Sequence, residues 1–129
     1  MGNKKNLMKK IRSALISVSD KSNLIPLLKI LKKHNIKIIS SGGTYKAIKK
    51  FKFKCQEVSE YTGSEEILEG RVKTLHPKIH AGILNKRNYK SHQKDLKKNN
   101  FENIDLVIVN FYPFEENLKQ TKDNKKNYR

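Results

Sequence analysis

Covalent cross-linking is closed to this 129-residue chain, because Cys55 is its only cysteine and no internal disulfide can form. Its setting, Phe53-Lys54-Cys55-Gln56-Glu57-Val58, reads as a short strand, where a thiol serves as a small buried hydrophobe rather than a nucleophile. Long apolar runs are missing too. Nothing is long enough to span a bilayer, and the lysine-rich start lacks the apolar stretch of a signal peptide, so a cytoplasmic location is the default and no membrane partner is expected. Aromatic residues make up only 8% and fall where apolar packing is expected, which leaves no evident exposed platform for stacking bases. Acidic residues are scarce, 12 against 29 Lys and Arg, for a formal charge of +17.

That charge invites a nucleic-acid reading until it is taken apart. Residues 1–12 carry +5 and residues 117–129 carry +4, leaving +8 for the middle of the chain. Only Arg12, Arg71, Arg87 and Arg129 are arginines, whereas specific nucleic-acid readers lean on arginine's two-pronged guanidinium. Most lysines fall on the outer faces of predicted helices. A solvated, lysine-biased surface is therefore preferred over a nucleic-acid interface.

What is present is an alternation of strands and helices. Ala14-Leu15-Ile16-Ser17-Val18 reads as a buried strand, and Leu24, Leu27, Leu28 and Leu31 form a helical stripe. Pro26 places the start of that helix at Asn23, since a first-turn proline loses no hydrogen bond. Ile36 to Ile39 is a second strand, Thr44 to Phe51 a helix, and 55–58 a third, short strand. Ser64 can cap a brief helix with Glu65 and Glu66 in its first turn and Gly70 as its stop. Tyr89, His92 and Leu96 mark a helix ending at Asn99-Asn100. Residues 104–109 form a nearly continuous apolar strand, as when both faces are covered. The pattern predicts an α/β fold: an open, mostly parallel sheet with helices on both faces.

Chemistry collects at the strand ends. In an open parallel sheet ligands bind beyond the carboxyl ends of the strands. Three predicted strands run into Ser17-Val18-Ser19-Asp20-Lys21, Ser40-Ser41-Gly42-Gly43-Thr44 and Asn110-Phe111-Tyr112-Pro113, which would converge on one edge. The Ser-Gly-Gly-Thr turn can aim amides at an anion beside a helix's positive end, yet it is neither a dinucleotide fingerprint nor a Walker loop. With Ser19 and Lys21 beside it, it suggests a phosphate monoester pocket.

The densest stretch is Gly70 to Gly82, with Arg71, Lys73, Lys78, His76, His80 and Thr74 on a backbone read as irregular because of Pro77. His76 and His80 stand four apart. Pro77 is expected to deny them a common helical face, and no nearby acidic pair completes a zinc site, so no metal is expected. Tyr112 is either a packed aromatic or a phenol reaching into the cleft.

These runs, from Leu15-Ile16-Ser17-Val18-Ser19-Asp20-Lys21 through Ser41-Gly42-Gly43-Thr44, Glu60-Tyr61-Thr62-Gly63 and Gly70-Arg71-Val72-Lys73-Thr74-Leu75-His76-Pro77 to Asn110-Phe111-Tyr112-Pro113-Phe114, resemble the inosine monophosphate (IMP) cyclohydrolase domain of the bifunctional purine biosynthesis family, of methylglyoxal-synthase-like fold. The resemblance covers roughly 13 to 118 and implies closure of 5-formamidoimidazole-4-carboxamide ribonucleotide to IMP with loss of water. It assigns Ser19, Lys21, Ser41, Gly42, Gly43 and Thr44 to the 5′-phosphate, and Arg71, Lys73, Thr74, Asn110 and Tyr112 to the base. Lys73 would steady the oxyanion and Tyr112 would move a proton. No cofactor is implied for this step; 10-formyltetrahydrofolate belongs to the family's transformylase domain, which this sequence lacks.

By the same resemblance the chain divides into a basic tail over 1–12, a cyclohydrolase-like domain over 13–118 and a polar tail over 119–129. The family continues past its Asn-x-Tyr-Pro-Phe segment into an Asp-Ile-Gly-Gly pattern and a catalytic lysine, where this sequence turns into Thr121 to Arg129. The 129-residue polypeptide is accordingly expected to be weakly active or inactive alone. Its expected partner is a purine nucleotide, with a homodimer or a separate chain supplying the missing segment as further partners. Methylglyoxal synthase itself is disfavoured, because its Gly-x-x-Gly-Gly-Asp block does not occur. The alternatives are a non-catalytic purine-nucleotide-binding regulatory domain of the same fold, or a lysine-rich nucleic-acid binder.

Overall fold

The computed structural model describes residues 10–65, 67–68 and 74–110. Within them, strand β1 (Ser13–Ser17) leads through helix α1 (Leu24–Lys33) to β2 (Lys37–Ser40), then through α2 (Gly42–Lys50) to β3 (Gln56–Glu57). Helices α3 (Val58–Thr62), α4 (Pro77–Leu84) and α5 (Lys90–Lys98) precede β4 (Leu106–Val109). The four strands are all parallel, in the order β3-β2-β1-β4. An α/β architecture is thus observed as expected.

Strand β1 lies in the middle and explains why its sequence does not alternate: both of its faces are covered. Ala14 and Ile16 pack with Leu24, Leu28 and Leu31 of α1 and Ile48 of α2. Leu15 points to the other face, onto Ile39, Val58, Tyr61, Ile79 and Ile104. Asn23 precedes α1 as expected, with Pro26 in the first turn. Helices α1, α2 and α5 are each followed by a left-handed residue (Asn35, Lys52 and Asn100), the usual way of leaving a helix sharply.

Three expectations are corrected. First, 55–58 is not one strand: β3 is two residues long, and Val58 opens a single helical turn that buries Val58 and Tyr61 and ends at Gly63, φ 79°. Second, the stretch around Pro77 is not irregular throughout. Pro77 is the first residue of α4, where its missing amide proton is not needed, and the His76 ring accepts a hydrogen bond from the Lys78 amide at 3.0 Å. Third, β4 is not covered on both faces among the described residues: Val107 and Val109 are 42% and 64% exposed. The brief helix expected from Ser64 to Gly70 falls partly on residues 66, 69 and 70, outside the described residues.

Gly82 marks the closest approach between elements. Its carbonyl accepts the Ile104 amide at 2.9 Å, and a Cβ there would meet the Glu102 carbonyl oxygen at 2.8 Å. Backbone cannot swing aside as a side-chain end can. Gly82→Ala is expected to destabilise the domain by about 1–3 kcal/mol, read as a lowered urea midpoint at unchanged slope.

Cys55 sits half-buried against the α1/α2 side of the core. Burial pushes its thiol up from 9.0 to about 11, with Lys49 opposing and Glu57 adding to the shift. The neutral thiol is therefore favoured by the fold, a contribution complete below pH 9 and lost as pH rises through about 11. Iodoacetamide should label Cys55 slowly in the native protein at pH 8 and at the rate of a free thiol once it is unfolded.

Candidate functional site: an amide nest at the strand tips

The carboxyl ends of β1, β2 and β4 meet as the topology requires, and hydrogen bonds tie the three tips together. Thr44, in the first turn of α2, donates its hydroxyl to the Val18 carbonyl (3.0 Å) and accepts from the Val18 amide (3.1 Å). Asn110, just past β4, accepts from both the amide (2.8 Å) and the hydroxyl (2.9 Å) of Ser19. Its own amide group donates to the Asp20 carbonyl at 3.0 Å. Asp20 in turn accepts from the Ser22 amide at 2.9 Å, a bond that holds its carboxyl below the usual carboxylate range.

The geometry leaves one group of donors facing out. Helix α2 begins directly at the end of β2, and its first intrahelical acceptor, the Ser41 carbonyl, is taken by Tyr45. The amides of Gly42, Gly43 and Thr44 lie ahead of that bond, in the turn where helical N–H groups have no partner within the helix. Ser41 makes no side-chain cap to them. Gly42 has φ 57°, a conformation that bends the chain around the opening and that other residues adopt at a cost. Gly43 is exposed, and the Lys21 ammonium stands 3.8 Å from where its Cβ would be. That ammonium is fixed by donating to the carbonyls of Val18 (3.0 Å) and Ser19 (3.4 Å). Amides at a helix's positive end beside a tethered cation have the chemistry to accept a small anion.

The structure thus brings Ser19, Lys21, Ser41, Gly42, Gly43, Thr44 and Asn110 into one place, but not all with the same task. The hydroxyls of Thr44 and Ser19 and the amide of Asn110 are spent on holding the tips together. Of this group Gly43 is exposed, with the Lys21 ammonium beside it, whereas Thr44 is buried. Thr74 is half-buried in the turn before α4. Arg71, Lys73 and Tyr112 lie outside the described residues.

Pro77 does not separate the two histidines as expected: His76 caps α4 and His80 lies one turn inside it, but the Nδ1 of His76 is already engaged. Among the described residues no three His, Cys, Asp or Glu side chains gather closely enough to hold a metal ion. One group was missed in the sequence. Ser40, the last residue of β2, is fully buried and its hydroxyl has no partner among the described residues. The Ser40-Ser41 pair before two glycines was the available signal.

A four-stranded parallel sheet with a glycine-rich turn at the switch from β2 to α2 defines an α/β domain. The chain belongs to the MGS-like domain family, whose model matches residues 23–129. Among curated proteins it is similar to the bifunctional purine biosynthesis protein PurH of Prochlorococcus marinus (strain MIT 9211), 58% identical over 108 residues. It is 48% identical over 108 residues to PurH of Magnetococcus marinus. These matches take in 83% and 84% of this chain, which spans about a fifth of the length of either relative. Among solved structures, the crystal structure of ForH superposes with a TM-score of 0.71 at 31% identity, over 78% of this chain and 53% of that one.

Proposed function

We propose that this chain serves the IMP cyclohydrolase step of purine biosynthesis, closing 5-formamidoimidazole-4-carboxamide ribonucleotide to IMP with loss of water. The observation that carries the reading is the open amide turn at Gly42–Thr44 with the Lys21 ammonium at its lip. A ribonucleotide presents a phosphate dianion at one end, and this receptor suits it. Arg71, Lys73, Thr74 and Tyr112 are the residues this reading assigns to the base.

In the reaction the carboxamide nitrogen attacks the formyl carbon and negative charge develops on the former carbonyl oxygen. Lys73 is assigned to that charge and Tyr112 to proton transfer as water leaves. Ring closure with dehydration changes no oxidation state, so it calls for no redox cofactor. The strongest support beyond geometry is the similarity to PurH, a bifunctional purine biosynthesis protein by name.

The experiment is a paired measurement on the purified chain: calorimetric titration with IMP, and conversion of the formamido ribonucleotide followed by absorbance. Binding with conversion supports the cyclohydrolase reading. Binding without conversion, not restored when the family's following segment with its catalytic lysine is supplied separately, moves the chain to the regulatory, nucleotide-sensing class, and no binding refutes both.

A further inference from the structure

A large cleft lies not at the strand tips but at the opposite end of the sheet. It has a volume of about 830 Å³ and is framed by the amino ends of β1 (Ser13) and β2 (Lys37), the segment before β4, and helix α5. That size suits a small ligand. Its apolar lining comes from Ile39, Tyr61, Leu96 and Phe101, while Lys10, Arg12, Lys37, Lys90, Lys94 and Lys97 supply cations from three separate parts of the chain. Acidic groups are few. Asp105 is 3.5 Å from Arg87 and accepts the Arg12 amide, and Glu102 stands 3.9 Å from Lys37. No other ion pair occurs on these walls among the described residues.

The lysines of α5 are not placed as a merely soluble helix would place them. In α1, α2 and α5 alike, lysines close the last turn, where the dipole welcomes them. In α5, Lys90 occupies the first position, at the positive end, with no acidic residue in that turn. Lys90, Lys94 and Lys97 share one face at spacings of four and three, so each repels the next. The helix gains from Lys97 in its last turn but not from Lys90 at its positive end or from the repulsion along the row. An anion bridging the row would turn repulsion into attraction. The wall also holds Asn103, whose buried Oδ1 lacks a hydrogen-bond partner among the described residues.

We infer that this cleft is a second ligand site, taking a ring-bearing molecule with several negative charges, of the nucleoside di- or triphosphate class. The apolar floor would take the ring and the α5 row the phosphates. A lone phosphate would leave most of the row unanswered. The cationic wall of the cleft stands at the amino ends of β1 and β2, about the length of β1 from the amide turn, roughly 13 Å for a five-residue strand, and simultaneous occupancy is part of the inference.

The test uses the full chain and magnesium-free ATP, with inorganic tripolyphosphate and a 15-nucleotide single strand as comparison probes, followed by calorimetry. ATP is expected to bind alongside saturating IMP. Lys90→Glu/Lys94→Glu/Lys97→Glu should weaken ATP by about tenfold or more, as expected for lost charged hydrogen bonds, while IMP binding changes less than about twofold. Circular dichroism checks that the variant is folded; Lys94→Gln alone, a gentler change, should weaken ATP in the same direction. Undiminished ATP binding in a folded triple variant, or competition between ATP and IMP, overturns the inference. So does tripolyphosphate binding as tightly as ATP, which removes the ring, or tight binding of the single strand without ATP binding, which gives the cleft to nucleic acid.

Discussion

Gly43→Glu should lose about a hundredfold in IMP affinity while keeping the fold, since it removes on the order of two charge-assisted hydrogen bonds. The position is chosen for what surrounds it. Gly43 is exposed, its φ is not in the left-handed region, and a Cβ would meet only the end of Lys21, at ordinary contact distances of 3.8 and 3.9 Å. A carboxylate there would sit at the helix's positive end and beside the Lys21 ammonium, a stabilising place for a negative side chain. It would therefore occupy the receptor as a built-in anion and repel the incoming phosphate. Gly43→Ala should be far milder, because it adds volume without charge. If Gly43→Glu bound IMP as the parent does, the phosphate would have to be held elsewhere.

Lys73→Ala should cut ring closure by about a hundredfold or more in kcat, with a much smaller effect on IMP affinity. A cation that answers the developing oxyanion matters more as charge accumulates than it does to the bound reactant. Lys73→Arg keeps the charge but spreads it over a plane, and should restore only part of the rate. An equal loss in binding and turnover would instead make Lys73 a substrate-holding residue. Lys21→Ala offers the opposite signature, weakened binding with the chemical step preserved at saturation.

Much of the fold was legible because β1 to α2 obeys simple periodicities. The Leu24, Leu28 and Leu31 stripe and the uninterrupted apolar run of β1 dictated a helix laid over a buried strand. The convergence of Ser19, Lys21, Gly43 and Asn110 followed from parallel strands alone. Other features depended on partners that the local sequence does not name. Pro77 reads as a breaker until His76 supplies a cap and turns it into a helix start. Val58 is β-branched, and its helical turn exists because Val58 and Tyr61 find Leu15 and Ile39 beneath them.

The same limit applied to the site. A threonine after two glycines suggests a ligand-facing hydroxyl, yet that hydroxyl is closed onto Val18; Asn110 likewise spends its amide on Ser19 and Asp20. The lysine surplus read as a diffuse surface. Only the tertiary structure shows part of it gathered in one cleft, because Arg12, Lys37 and Lys94 are far apart along the chain.

An amide-resolved NMR titration with IMP, run beside inosine as the phosphate-free control, tests the central claim most directly. The N–H signals of Gly42, Gly43 and Thr44 should move together and saturate with IMP, and remain still with inosine. Equal shifts with both ligands, or shifts that spare these three amides, would contradict the assignment of the turn as the phosphate receptor.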